Sequence, residues 1–139
     1  MNKPLSDLVS QYEPVLAQAI NAVETRRQWS PFRDSPSSKF HPQGKPEAGK
    51  AAFETGLGKP FELDLPGVIG STGEETSPFT GKALGISYPL CDTREIVAAA
   101  KASMPAWAKT TPAQRFALCL EMAMRLYDRN FEMAHSVMH

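Results

Sequence analysis

Two cysteines are the side chains of this 139-residue sequence with the most obvious capacity for nucleophilic chemistry. Cys91 stands directly before Asp92, and a helix that begins there would favour a thiolate through its dipole. Cys119 lies between Leu118 and Leu120 on an apolar helical pattern, where a cysteine usually packs as a small hydrophobic residue. A cysteine nucleophile also requires a base and an activating environment, and no histidine is near Cys91 in sequence. We therefore expect both cysteines to be structural.

The histidines offer a possible metal site, because His135 and His139 are four residues apart and can share one helix face. A third ligand is not evident, although His41 is available in principle. A zinc site normally takes at least three protein ligands. The incomplete ligand set favours ordinary surface or packing roles for these histidines and predicts no metal site.

The stretch Gly44–Lys50 has the Gly-x4-Gly-Lys spacing of a phosphate-binding loop. The next residue is Ala51, whereas the motif needs a Ser or Thr hydroxyl for Mg²⁺. Pro46 removes a backbone N–H donor, and residues 39–42 do not have the pattern of a buried strand. We predict no nucleotide site here, and spacing alone assigns no catalytic, cofactor-binding or metal-binding residue anywhere in the chain.

Composition narrows the classes of function. The 15 basic and 15 acidic residues give a formal charge of zero, so a general attraction to nucleic acid or membranes is not implied. No apolar run approaches membrane-spanning length, and the N-terminus lacks the apolar core of a signal peptide. The two cysteines have neither metal spacing nor a disulfide framework, which fits a reducing compartment. We expect a cytoplasmic protein that binds neither nucleic acid nor a membrane.

The first 60 residues are predicted to be largely helical. Apolar residues recur at helical spacing up to Arg27, with Pro14 in the first turn of the main helix and residues 5–12 as a separate turn. Residues 29–45 have the composition of a loop but carry three aromatic residues, so we interpret them as an ordered strap over a core. Residues 46–55 are predicted to form a second, short helix.

The middle of the chain is predicted to hold short strands and turns. Alternating patterns occur at Phe61–Leu65 and again at residues 83–89, while Val68–Gly70 is ambiguous. Turns are indicated at Pro66-Gly67 and at Ser77–Lys82.

Two consecutive helices are predicted for residues 92–139. Asp92 with Glu95 and Thr111 with Gln114 fit capping boxes. The first helix has a face of small residues, and the second carries a broad apolar stripe that runs on to the last residues without a stop signal. We expect this stripe to pack on an element that the sequence does not supply, and to be substantially exposed in this chain. The stripe consists of Phe116, Cys119, Leu120, Ala123, Leu126, Tyr127, Phe131, Ala134 and Val137.

Taken in order, several of these blocks resemble the aldehyde dehydrogenase superfamily. In that family an Asn-Pro-x-Thr-Gly turn precedes a strand, an Ala-rich helix ends near a Phe-x-x-Trp, and an Arg-containing helix follows. Here Ser77 replaces the Asn and Met104 the Phe. The matching segments are Ser77–Lys82, the strand through Ile86, the helix from Asp92, Ala106-Trp107 and Pro112–Arg115.

A longer set of blocks is similar to one bacterial branch of that superfamily, the PaaN-type proteins of phenylacetic acid degradation. The resemblance covers almost the whole chain. Its blocks are Trp29-Ser-Pro-Phe32, Gly58-Lys-Pro-Phe-Glu-Leu-Asp64, Glu75-Thr-Ser-Pro-Phe79, Leu84-Gly-Ile-Ser-Tyr-Pro89 and Phe131-Glu-Met-Ala-His-Ser-Val-Met-His139.

The resemblance implies an α/β fold of which residues 1–139 are the N-terminal part, mostly helical with a few short strands in the middle. Residues 1–60 would be a branch-specific helical extension and strap, residues 61–90 short strands, and residues 92–139 a helix pair.

The resemblance also implies a larger, homo-oligomeric parent protein that oxidises an aldehyde with NAD or NADP, the aldehyde being expected as a ring-opened CoA-thioester. Family members use a cysteine thiolate, a glutamate, an oxyanion amide and a cofactor fingerprint, and no position here matches any of them. We therefore expect no activity from this chain alone. The alternative is a self-contained helical module for binding or oligomerisation, with the apolar stripe as its contact.

Overall fold

The computed structural model describes residues 3–32, 35, 37 and 39–139. Within them the chain is mostly helical with two short strands, as predicted. It divides into two units, one made of Met1–Gln43 with Thr110–Asp128 and the other of Gly44–Lys109 with Arg129–His139. The elements, in chain order, are α1 (Leu5–Thr25), α2 (Lys45–Gly56), β1 (Val68–Thr72), β2 (Tyr88–Cys91), α3 (Thr93–Ala108), α4 (Pro112–Asp128) and α5 (Asn130–Met138).

The first unit is built on the contact between α1 and α4. Its buried residues are Leu8 and Tyr12 from α1 and Ala117 and Leu120 from α4. The prediction of a separate turn before Pro14 is wrong, because α1 runs without interruption through this proline. Proline in a helix interior removes one backbone hydrogen bond. The burial of Leu8 and Tyr12 on the N-terminal side of Pro14 offsets that loss.

The start of α4 forms as its sequence indicates. The Thr111 N–H donates to Gln114 Oε1 at 2.9 Å, and the Gln114 N–H donates to Thr111 Oγ1 at 3.2 Å. Both halves of the capping box are therefore present, and two of the N–H groups at this helix start are satisfied locally.

The strap is only partly described, since Arg33, Asp34, Pro36 and Ser38 lie outside the described residues. Among its aromatic residues, Phe32 packs against the first unit's core, with its ring 5.3 Å from that of Tyr127. The other two predicted anchors, Trp29 and Phe40, are 36% and 47% exposed. Phe32 therefore serves as an anchor, and His41 makes a further buried contact, with its ring 5.9 Å from that of Tyr127.

The second unit contains an antiparallel pair, β1 and β2, with an irregular register between Val68 and Gly70. The predicted strand at Phe61–Leu65 is wrong. Pro60, just before that segment, forms an isolated bridge with Ser87, and the Phe61 N–H donates to the Ser87 carbonyl at 2.7 Å. The chain then turns at Pro66. The strand predicted at residues 83–89 begins later, at Tyr88. Gly85 has φ of 65°, which interrupts extended backbone before that point.

The helix α3 begins at Asp92, whose Oδ1 accepts from the Arg94 N–H at 2.8 Å. The second half of the predicted capping box does not form, because the Asp92 N–H donates to the Gly67 carbonyl at 2.8 Å. The cap is thus tied to the turn before β1 and not to Glu95. Every residue of α3 is described, and none is buried.

The second predicted C-terminal helix is two helices, since the chain leaves helical geometry at Arg129 with φ of −100° and ψ of 13°. Asn130 Oδ1 accepts from the Phe131 N–H at 2.9 Å, a local bond that competes with helical hydrogen bonding. As a result α4 packs on α1, and α5 packs on α2. The helices that carry the apolar stripe therefore have partners within this chain, and Leu120 of the stripe is buried. The expectation of a substantially exposed stripe holds at four of its nine positions, while the other four are half-buried. The exposed positions are Cys119, Leu126, Ala134 and Val137.

No helix in the described part of the chain combines the length and apolar character needed to cross a membrane.

Candidate functional site

The two cysteines occupy different surroundings. Cys91 is half-buried at the end of β2, directly before the residue that caps α3. Cys119 is exposed on α4, so its expected place among buried apolar side chains is wrong. The helix instead turns Ala117 and Leu120 toward α1 and leaves Cys119 on the opposite side.

The paired histidines of α5 have a packing role. The rings of His135 and His139 lie 6.3 Å and 4.9 Å from the ring of Phe53 on α2, each at an interplanar angle of 22°. The four-residue spacing thus places two flat side chains on one buried phenylalanine. His41 belongs to the other unit, where its Nε2 is 2.9 Å from the Ser35 carbonyl oxygen. No group of three or more His, Cys, Asp or Glu side chains among the described residues is arranged to hold a metal ion.

A serine–histidine contact was not anticipated from the sequence. Ser77 is fully buried, and its Oγ lies 3.0 Å from His139 Nδ1. The same Oγ accepts from the Thr80 N–H at 3.1 Å, while the Ser77 N–H donates to the Lys82 carbonyl at 2.8 Å. The contact therefore joins the Ser77–Lys82 turn to α5.

The Ser77–His139 distance is that of a nucleophile and its base, but the burial of Ser77 denies a substrate access to its oxygen. The contact is better explained as a structural link between the Ser77–Lys82 turn and the end of α5. The sequence offered one signal for it, because Ser77 stands where the family that the chain resembles has an asparagine, which is also polar. Nothing in the sequence pointed to His139 as its partner.

The Gly44–Lys50 stretch forms the turn before α2 and the first half of that helix. Gly44 has φ of 81° and caps the helix start. Gly49 faces α5, where a Cβ atom would lie 2.5 Å from Phe131 Cβ and 2.8 Å from the Glu132 backbone nitrogen. This glycine serves the close approach of two helices. That the stretch is not a phosphate-binding loop stays a prediction.

A cavity of about 320 Å³ lies in the second unit between α2, α5 and the segment after the Ser77–Lys82 turn. The Phe53 ring and the two α5 histidines form part of its wall, and the side chains of Lys50 and Lys82 reach its edge. It combines apolar surface with several hydrogen-bond donors, the usual composition of a small-molecule site.

In the first unit a hydrogen-bonded group joins α1 and α4. The Tyr12 hydroxyl donates to Glu121 Oε2 at 2.5 Å, and Arg125 Nε donates to Glu121 Oε1 at 2.8 Å. Burial, and then the hydrogen bond and charge of Glu121, raise the pKa of Tyr12 to about 12. The hydrogen bonds from Tyr12 and then Arg125 lower the pKa of Glu121. These hydrogen bonds link α1 to α4, and we assign them a structural role.

Comparison with known proteins gives one informative match. The chain is similar to the crystal structure of an NAD-dependent aldehyde dehydrogenase from Burkholderia multivorans, with a TM-score of 0.82 and 40% sequence identity. The match covers 95% of this chain and 24% of that chain, so this chain spans about a quarter of the length of the solved protein. No family model matches, and no curated protein matches.

The identity of 40% over nearly the whole chain means that the two proteins are alike in sequence as well as in fold. The match supports the aldehyde dehydrogenase superfamily, and the mostly helical chain with its two-stranded sheet agrees with the aldehyde-dehydrogenase-like fold expected from the sequence.

Proposed function

We propose that this chain is the N-terminal segment of a PaaN-like, NAD(P)-dependent aldehyde dehydrogenase of aerobic phenylacetate degradation. The parent protein would be a cytoplasmic homo-oligomer and would oxidise a ring-opened, CoA-linked semialdehyde. The match to an NAD-dependent aldehyde dehydrogenase carries this proposal. The branch and the substrate depend on the ordered sequence blocks, from Trp29-Ser-Pro-Phe32 to Phe131–His139.

An unburied apolar stripe on α3 supports a larger parent. Ile96, Val97, Met104 and Trp107 are all exposed. At 100° per residue they fall within an arc of about 100°, which is the geometry of a helix face that packs on another element. Within the described residues, α3 has no extensive contact with another helix or strand. In the proposed parent, further polypeptide would cover this face.

Cofactor chemistry is assigned to the remainder of the parent. The neighbour's dependence on NAD favours NAD over NADP. The one glycine- and lysine-containing stretch with phosphate-binding spacing does not fit a dinucleotide, because Gly49 is packed against Phe131. No residue of this chain is therefore given a role in hydride transfer.

Two observations test the proposal. First, purified chain mixed with an aldehyde and either NAD⁺ or NADP⁺ should produce no reduced cofactor above a protein-free control. Turnover by this polypeptide alone would contradict the assignment. Second, the DNA following the His139 codon should encode a cysteine nucleophile and a glycine-rich cofactor segment. A downstream sequence unrelated to aldehyde dehydrogenases would count against the proposed parent.

The alternative, a self-contained helical binding module, is less well supported. Its contact surface was the stripe between Phe116 and Val137, and that stripe is divided between a contact with α1 and a contact with α2. Light scattering after size-exclusion chromatography distinguishes the two ideas. A defined oligomer formed through this stripe would favour the module.

A further inference from the structure

The cavity between α2, α5 and the loop after the Ser77–Lys82 turn has no part in the proposed dehydrogenase chemistry. Its base is apolar, because Phe53 is buried and Leu57 and Leu84 contribute further wall. Its volume of about 320 Å³ is at the lower end of the range for small-molecule sites. A ligand that fits must therefore be small and have an apolar or aromatic body.

The lining of this cavity includes charged side chains. Lys50 and Lys82 both line it, together with one acidic residue, Glu54. Lys50 is 3.7 Å from Glu54, so these two charges offset each other. Among the described residues no carboxylate pairs with the Lys82 ammonium. The charged lining side chains, Lys50, Lys82 and Glu54, therefore sum to one positive charge, although the side chains of the whole chain sum to zero.

The histidines add hydrogen-bonding groups to the cavity lining. The contact of His139 with Ser77 Oγ uses the Nδ1 atom of the ring. The Nε2 atom of His139 has no hydrogen-bond partner among the described residues, so it is available to a ligand. The ring of His135 is held by Phe53 and has no hydrogen-bond partner in the described part of the chain. Two imidazoles are thus fixed in orientation by packing while keeping hydrogen-bonding capacity.

We infer that this cavity binds a small organic monoanion, with its apolar or aromatic body against Phe53 and its anionic group near Lys82 and the two imidazoles. A carboxylate accepts hydrogen bonds and carries no donor, so it complements these groups. Bonds between charged donors and carboxylates are stronger than neutral ones. Apolar contact with Phe53 supplies the rest of the affinity. The site is independent of the dehydrogenase assignment.

Titration of the full chain with benzoate, followed by NMR, tests the inference. Benzoate combines an aromatic body with a carboxylate, benzyl alcohol has the body without the charge, and inorganic phosphate has charge without the body. Saturable shifts of His135, His139 and Phe53 signals are expected with benzoate, at an affinity at least fivefold above that of either comparison compound. Equal binding of benzyl alcohol would overturn the anionic part of the proposal, and equal binding of phosphate its apolar part.

The variant Lys82→Gln removes the unpaired ammonium from an exposed segment. It should weaken benzoate binding about five- to tenfold, the effect of losing one charge-assisted contact. Lys101→Gln makes the same chemical change on exposed α3, outside the cavity lining, and should leave binding unchanged. If the two variants bind benzoate equally, or if unaltered protein shows no saturable shift, the proposed site does not exist.

Discussion

Replacing Gly49 with alanine tests the contact between α2 and α5 most directly. An added Cβ would lie 2.5 Å from Phe131 Cβ, 2.8 Å from the Glu132 nitrogen and 2.9 Å from the Phe131 carbonyl carbon. Two of these three atoms belong to the backbone. A rotamer change cannot relieve the overlap, so one helix must move away from the other.

The expected free-energy change has two parts of opposite sign. Overpacking a close contact costs about 1–3 kcal/mol, whereas alanine in place of glycine within a helix gains about 1 kcal/mol. The steric part is at the upper end because the nearest atoms are fixed backbone. We therefore expect Gly49→Ala to lower the free energy of unfolding by about 1–2 kcal/mol.

Gly56→Ala is the matched control on the same helix. No atom lies within 4 Å of its hypothetical Cβ, and its φ is not positive. Because Gly56 is the last residue of α2, only part of the propensity gain applies, and a stabilisation of about 0.5 kcal/mol is expected.

Urea unfolding followed by far-ultraviolet circular dichroism measures both variants. With a slope of about 1–2 kcal/mol per molar urea, the two midpoints should differ by roughly 1 M, with Gly49→Ala below and Gly56→Ala above the unaltered chain. A Gly49→Ala variant as stable as Gly56→Ala would refute the close approach of α2 and α5, and with it the packing explanation of the Gly-x4-Gly-Lys spacing.

Three further changes probe the remaining contacts. The folded protein raises the pKa of Tyr12 to about 12, so it favours the neutral phenol. This preference contributes to the stability of the folded state. The contribution is fully present below the ordinary tyrosine pKa near 10 and is lost as the pH rises through about 12. Burial, and then the charge of Glu75, also raise the pKa of Tyr88. In a spectrophotometric titration, Tyr12→Phe should therefore remove the step near pH 12 and leave the Tyr88 step in place, and it should flatten the fall in stability across this window. Thr111→Ala removes the cap of α4 and should cost about 1 kcal/mol, measured by urea unfolding, and Thr111→Ser should restore most of it. Ser77→Ala removes a buried hydroxyl together with its two hydrogen bonds, one from the Thr80 N–H and one with His139 Nδ1, and should cost about 1–3 kcal/mol. A stability equal to that of the unaltered protein would contradict the link between this turn and α5.

The features that the sequence predicted well depend on local chemistry. The capping box of Thr111 and Gln114 uses residues three positions apart, and Asp92 caps α3 through an N–H two positions away. Such signals involve no distant part of the chain. The prediction that the Gly44–Lys50 stretch is not a phosphate-binding loop also depends on local residues, Pro46 and Ala51, and it stays a prediction.

The features that were missed depend on partners distant in sequence. The Asp92 N–H bonds to Gly67 and not to Glu95 because β1 and β2 bring the preceding turn beside it. The Ser77–His139 contact joins residues 62 positions apart. Apolar periodicity also continued across Arg129, although the chain changes its helix partner there. Periodicity reports that a face will be buried, but not which element will bury it.

The contrast between α3 and α4 shows why these local signals are not sufficient for a stable element. Both helices have a side-chain cap and an apolar stripe. In α4, Ala117 and Leu120 are buried against α1, whereas α3 buries no residue. A 16-residue helix that buries none of its residues is marginal in water even with a good cap. The aldehyde dehydrogenase that this chain resembles is about four times as long, so polypeptide of the proposed parent is available to cover Ile96, Met104 and Trp107. The exposed face of α3 is therefore an argument for the larger protein that rests on energetics and is independent of the sequence blocks.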